Sequence, residues 1–184
     1  MMTELSLNVL DVAQNSVKAG ASLTQLGAVR EGKWLTLTVE DNGCGMTEEQ
    51  VAHVTDPFFT TRTTRKVGLG VPFFKMAAEM TGGDFSITSQ VGVGTKTTAR
   101  FDTTHIDCIP LGDMCSTVVS LIQCNPDRDF LYRYEIDGRG FTLDTREMRE
   151  ELGDVPLDTP EVVEFIREFI TENTNGVDGQ GEQA

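Results

Sequence analysis

The sequence predicts a mixed α/β fold, and three observations carry that prediction. A helical segment opens the chain, strands of period two follow in pairs, and glycine-rich turns punctuate the first hundred residues. With 184 residues the chain is long enough for one good core, or for one domain with a smaller companion.

Residues 4–19 read as a helix that packs Val9, Ala13 and Ser16 and closes at Gly20, a natural C-cap. Two strands follow, Leu23 to Arg30 and Lys33 to Asp41, with Glu31 and Gly32 as the hairpin turn between them. In the second, Leu35, Leu37 and Val39 alternate with Thr36 and Thr38, the period of a half-buried strand. Thr47 caps a short helix, T-E-E-Q-V-A-H-V, with acidic residues in its first turn. The aperiodic stretch D-P-F-F-T-T-R-T-T-R-K reads as a loop. A helix then carries Pro72 near its start and ends at Gly82, and strands Asp84 to Ser89 and Lys96 to Phe101 flank the turn Q-V-G-V-G-T.

Composition changes after Asp102. Residues 103–173 read as a helix (Asp113 to Gln123), a hairpin over D-G-R-G and a helix capped by Thr159 with Pro160 at its first position. Residues 174–184, with Val177 as the main apolar residue, are expected to be disordered.

A net charge of -14 argues against a surface that binds nucleic acid or anionic lipid through charge. No apolar run approaches the ~18–20 residues needed to span a bilayer, and the N-terminus has no signal-peptide pattern. A cytoplasmic location is therefore expected. Cys44, Cys108, Cys115 and Cys124 lack metal-ligand spacing and read as reduced, packed thiols.

Four motifs stand in fixed order: D-V-A-Q-N-S-V-K-A-G-A from Asp11, D-N-G-C-G-M from Asp41, V-G-L-G from Val67 and V-G-V-G-T from Val91. Each alone is weak, but together at these separations they resemble the GHKL superfamily of ATP-binding domains. That superfamily is shared by gyrase, the large heat-shock chaperones, histidine kinases and mismatch-repair ATPases. The resemblance covers residues 1–101 and implies the histidine kinase-like (Bergerat) fold over 1–102, a two-layer α/β sandwich extended by a small α+β segment.

The resemblance also implies ATP and Mg²⁺ as ligands. Asn15 matches the Asn whose amide oxygen binds the metal; in isolation it is merely a polar helix residue. Asp11, four residues earlier on the same face, matches the place where ATPases and anti-sigma serine kinases hold a Glu base. It is either that base, one methylene shorter, or a structural contact. Lys18 either meets a phosphate or is an exposed helix lysine.

Asp41 matches the acceptor for the adenine amino group, with Gly43 and Gly45 allowing close approach and Met46 packing on the base. Phe58 and Phe59 match packing residues at the base of a lid. Arg62, Arg65 and Lys66, a basic island in an acidic chain, are candidates for the outer phosphates. Gly68, Leu69 and Gly70 open a helix whose N–H groups face the phosphates, although Val67 and Pro72 depart from the usual pattern. Thr95 matches the hydroxyl that supports the adenine-binding Asp.

Neither His53 nor His105 stands in the helical context of a phosphoacceptor, so phosphorylation on His within this chain is not expected. Two function classes remain open. The chain is a catalyst, as an ATPase or a kinase of a separate partner protein, or it is an ATP-dependent binding module that changes a partner's state.

Overall fold

The computed structural model describes residues 2–56 and 69–179. Six strands form one mixed sheet, β1 (Leu23–Glu31), β2 (Trp34–Asp41), β3 (Asp84–Gln90), β4 (Gly94–Asp102), β5 (Asp129–Ile136) and β6 (Arg139–Asp144). Their order is β3-β4-β2-β1-β5-β6, with β1 and β5 parallel and every other neighbour antiparallel. The helices are α1 (Leu5–Lys18), α2 (Glu48–Val54), α3 (Gly70–Met80), α4 (Met114–Cys124), α5 (Thr145–Leu152) and α6 (Pro160–Gly179).

Alternation along the strands fixes which face is buried. Thr24, Leu26 and Ala28 of β1, and Leu35, Leu37 and Val39 of β2, are buried beneath α1, α3, α4 and α6. The intervening Gln25, Gly27, Thr36 and Thr38 lie on the face that the helices leave uncovered. The result is the two-layer α/β sandwich expected. Phe74 of α3 packs on Phe101 of β4, with ring centroids 5.8 Å apart, and anchors one end of the core.

The segment after Asp102 contributes to this same sheet and core. β5 pairs with β1 over eight residues, and Phe130, Tyr132, Val118, Ile122 and Ile166 join the central cluster. The loop before α4 also completes α1, whose Glu4 cap gives its first turn no side-chain acceptor. Leu5 and Ser6 donate their N–H groups to Pro110 and Leu111 carbonyls at 2.9 and 2.8 Å, satisfying donors that a helix start leaves unpaired.

Three local differences from the sequence reading have physical reasons. The first hairpin turns on Gly32 and Lys33, since Glu31 pairs with Trp34 and Gly32 takes φ 59°. A helix, α5, forms over the nearly all-polar T-R-E-M-R-E-E-L; the Asp144 carboxylate caps it by accepting from Arg146 N–H at 2.9 Å. The disorder expected from residue 174 is not found over 174–179, where α6 continues to Gly179. Val177 extends the stripe of Ile166 and Ile170 into the core, and the Tyr134 hydroxyl donates to Asp178 Oδ1 at 2.6 Å. Residues 180–184 lie outside the described part.

Candidate functional site

The end of β2 with the loop after it, the last two turns of α1, and strands β3 and β4 meet around one cleft of about 640 Å³. Its wall carries Asn15 and Lys18 from α1, Asp41, Gly45 and Met46 from the loop after β2, and Thr95 from β4. Val12, Val54, Val71 and Ile87 supply apolar surface. An apolar slot with a few convergent polar groups is the usual form of a small-molecule site.

Asp41 is held from two sides. Ser16 donates its hydroxyl to Oδ2 at 2.6 Å, and the Gly43 N–H donates to Oδ1 at 2.9 Å. A carboxylate has about four lone-pair positions, so both oxygens keep capacity for a further donor. Asn42 pins the loop, accepting from the N–H groups of Ser22 and Leu23 at 2.9 and 3.0 Å.

The glycines of the loop explain its close packing. A Cβ on Gly45, whose φ is 69°, would overlap the Gln90 carbonyl, and one on Gly94 would overlap the carbonyl of Asp41. Gly92 N–H donates to Cys44 O at 2.8 Å, so the D-N-G-C-G-M loop and the V-G-V-G-T turn lie backbone to backbone. Ser89 links them further: it accepts from Met46 N–H at 2.8 Å, donates to Gly94 O at 3.0 Å and lies 2.8 Å from the Thr95 hydroxyl. Thr95 stands opposite Asp41 in the β2–β4 register.

Asp11 lies one turn before Asn15 on α1 and packs against the start of α3. A Cβ on Gly70 would fall 2.7 Å from Asp11 Cβ, so Gly70 brings the α3 backbone against this carboxylate. Partial burial raises the Asp11 pKa above its ordinary 3.8, against an opposing pull from Lys18. Asn15 is half-buried, and its amide makes no hydrogen bond among the described residues.

The structure thus gathers Asn15, Lys18, Asp41, Gly45, Met46 and Thr95 on one wall, with Gly43 behind Asp41. Asp11 and Gly70 sit together beside it, outside the cleft lining. Leu69 is 48% exposed at the N-cap of α3 and does not line the cleft. Arg62, Arg65, Lys66 and Gly68, with Phe58 and Phe59, lie outside the described residues. Sequence reasoning gave no ligand-side role to Ser16 or Ser89. Ser16 follows Asn15 directly and faces the sheet, and Ser89 sits one residue before the strand end opposite Thr95; only the pairing register makes either visible.

A six-stranded sheet layered with helices, with this cleft at one strand end, defines an α/β domain with a small-molecule cleft. Residues 1–105 match the family described as histidine kinase-, DNA gyrase B- and HSP90-like ATPase, and the chain belongs to that ATP-binding family. Relatives include sporulation kinase B of Bacillus subtilis, 29% identical over 101 residues that cover 53% of this chain and 23% of that protein. The sensor histidine kinase RcsC of Escherichia coli is 27% identical over 104 residues, covering 51% of this chain and 11% of that one. This chain thus matches a quarter or less of the length of either relative. Among solved structures, the Aquifex aeolicus MutL ATPase domain complexed with ADP aligns at TM-score 0.50 and 13% identity, over 91% of this chain and 88% of that one. The N-terminal domain of a DNA repair protein aligns at TM-score 0.53 and 13% identity, over 78% and 52%. These two likenesses concern the fold.

Proposed function

We propose that this chain binds Mg·ATP in the cleft below α1 and acts as an ATPase, or as a protein kinase toward a separate partner protein, in the cytoplasm. One observation carries the reading: Asp41 and Asn15 line one cleft, and Asp11 stands one turn from Asn15 on α1, against Gly70 at the start of α3. Asp41, with capacity left after Ser16 and Gly43, accepts from the adenine amino group. Met46 and Ile87 pack beside the base. Thr95 supports Asp41 from the adjacent strand.

The residues present fit a magnesium ion. Asn15 offers a neutral oxygen with no competing partner among the described residues, and Mg²⁺ takes few protein ligands while keeping several waters. When bound, the ion offsets charge on the triphosphate. Lys18 adds a cation at the same rim. Asp11, its pKa raised by burial, is the base: its carboxylate takes the proton of a water or hydroxyl. That oxygen bonds to the γ-phosphorus as the bond to the β–γ bridging oxygen breaks and ADP leaves.

Turnover with ATP and with GTP, in the parent and in Asp11→Asn, tests the reading. ATP-specific turnover that falls at least about tenfold in the variant, with nucleotide affinity retained, supports it. Equal calorimetric affinity for ATP and GTP overturns the assignment of Asp41. Parental turnover in Asp11→Asn overturns the base; ATP bound by the parent without measurable turnover leaves the second reading, an ATP-gated binding module.

A further inference from the structure

A cavity of about 660 Å³ lies at the other end of the sheet. β2 runs from Leu35 in this cavity to Asp41 in the nucleotide cleft, so the two spaces are separated by the length of the strand. Ala28 and Leu35 form part of its floor, Met114 and Cys115 of α4 one wall, Asp178 of α6 another, and Ile109 of the 103–113 loop its roof.

Its polar lining is unevenly used. The carboxylates are partly engaged: Asp113 accepts from the Ser116 N–H at 2.9 Å and hydroxyl at 2.6 Å, Asp178 Oδ1 but not Oδ2 takes the Tyr134 hydroxyl, and Glu135 pairs with Arg133. Two donors are not. Tyr132 is 1% exposed and lines the cavity, yet its hydroxyl makes no hydrogen bond among the described residues. The hydroxyl itself keeps a small contact with solvent, which a ligand acceptor in the cavity can replace. Burial, with the Tyr134 phenol, the Cys115 thiol and the Asp178 carboxylate as neighbours, pushes its pKa upward and keeps it a donor. The Arg30 guanidinium, on an exposed part of the same lining, makes no hydrogen bond or ion pair among the described residues, and lies close enough to act electrostatically on Tyr134.

A phenol O–H and a guanidinium without acceptors call for a carboxylate. Yet the lining carries Asp113, Glu135 and Asp178 against Arg30, so a simple anion meets net negative charge. A ligand that also carries an ammonium group resolves this, because Asp178 Oδ2 has no hydrogen-bond partner among the described residues. Ala28, Leu35, Ile109 and Met114 then receive an apolar side chain.

We propose that this cavity is a second binding site, for an α-amino acid with a large apolar side chain: carboxylate on Arg30 and Tyr132, ammonium toward Asp178. The proposal does not rest on ATP binding, and its test omits nucleotide. Calorimetry on the full chain would use L-phenylalanine and L-leucine, with 2-phenylethylamine and 3-phenylpropanoate as the single-charge analogues of the first. Saturable one-to-one binding of an amino acid is expected, with both analogues at least about tenfold weaker. Tyr132→Phe and Arg30→Gln should each weaken binding at least about fivefold. Neither should lower the unfolding temperature of the ligand-free protein, since neither group holds a partner in the fold. No binding of either amino acid overturns the proposal. So does an analogue that binds as tightly as L-phenylalanine, or binding that survives both substitutions.

Discussion

Ser16 donates its hydroxyl to Asp41 Oδ2 at 2.6 Å, so the neighbour of Asn15 on α1 positions the carboxylate at the end of β2. The proposed metal ligand and the proposed adenine acceptor are thereby joined by one hydrogen bond between a helix and a strand. Ser16 is 3% exposed, which shields that bond from competing water.

Ser16→Ala should therefore weaken ATP and adenosine alike, by about 1–2 kcal/mol or roughly tenfold, because the defect lies at the base. Titration calorimetry with both ligands checks it. A loss confined to ATP would place the effect at the phosphates and remove Asp41 from the base contact.

Asp11 combines partial burial with a raised pKa, and the sign of its pH dependence follows. As a base it must be ionised, so turnover should fall with decreasing pH through a limb lying above the ordinary 3.8. Stability runs the other way. A raised carboxylate pKa means the folded state binds a proton more readily, so stability is lost as pH rises from the unfolded value through the folded one. Above the folded value that penalty is fully present, and Asp11→Asn removes it. The variant should hydrolyse ATP more slowly yet unfold at an equal or higher denaturant concentration. A variant both slow and less stable would make Asp11 a structural contact.

Gly70 is expected to bring backbone against the phosphates, and the side on which it lacks a Cβ faces Asp11. An added methyl would press on Asp11 Cβ and stand 3.3 Å from Oδ2, displacing the carboxylate along α1. Gly70→Ala should then reduce kcat by about tenfold or more with a small change in nucleotide affinity, in the pattern of a mispositioned base. Steady-state kinetics with calorimetry separates the two. A large loss of affinity with kcat intact would return Gly70 to the phosphates.

Much of this was legible in the residues. Alternation in β2 and the caps at Gly20, Thr47 and Gly82 mark local structure, and such signals are written locally. The order of the four motifs led to Asn15 and Asp41 on one wall, because loop glycines and strand ends fix where a ligand lies. What the chain order hides is pairing between distant segments. Nothing near Phe130 announces that β5 lies parallel to β1, and nothing near Val177 announces a seat in the core. Ser16 and Ser89 gained their roles only from register, and the cavity around Tyr132 only from the approach of α4 and α6.

Asn8 presents the converse of a satisfied network. It is 1% exposed on α1, and both its amide nitrogen and its amide oxygen are buried without a hydrogen-bond partner among the described residues. Phe73, Met76 and Ala77 of α3 lie around the same small pocket, so the surroundings are apolar. An unpaired buried amide costs about 1–3 kcal/mol, and replacing it with an apolar group of similar shape recovers that cost. Asn8→Leu should therefore stabilise the fold by about 1–2 kcal/mol, read as a higher midpoint in urea with unchanged slope. Asn8 does not line the proposed nucleotide cleft, so ATP affinity should stay at the parental value. A destabilised Leu variant would mean that the amide is satisfied in solution, by a water buried beside Phe73, and that this water belongs to the core.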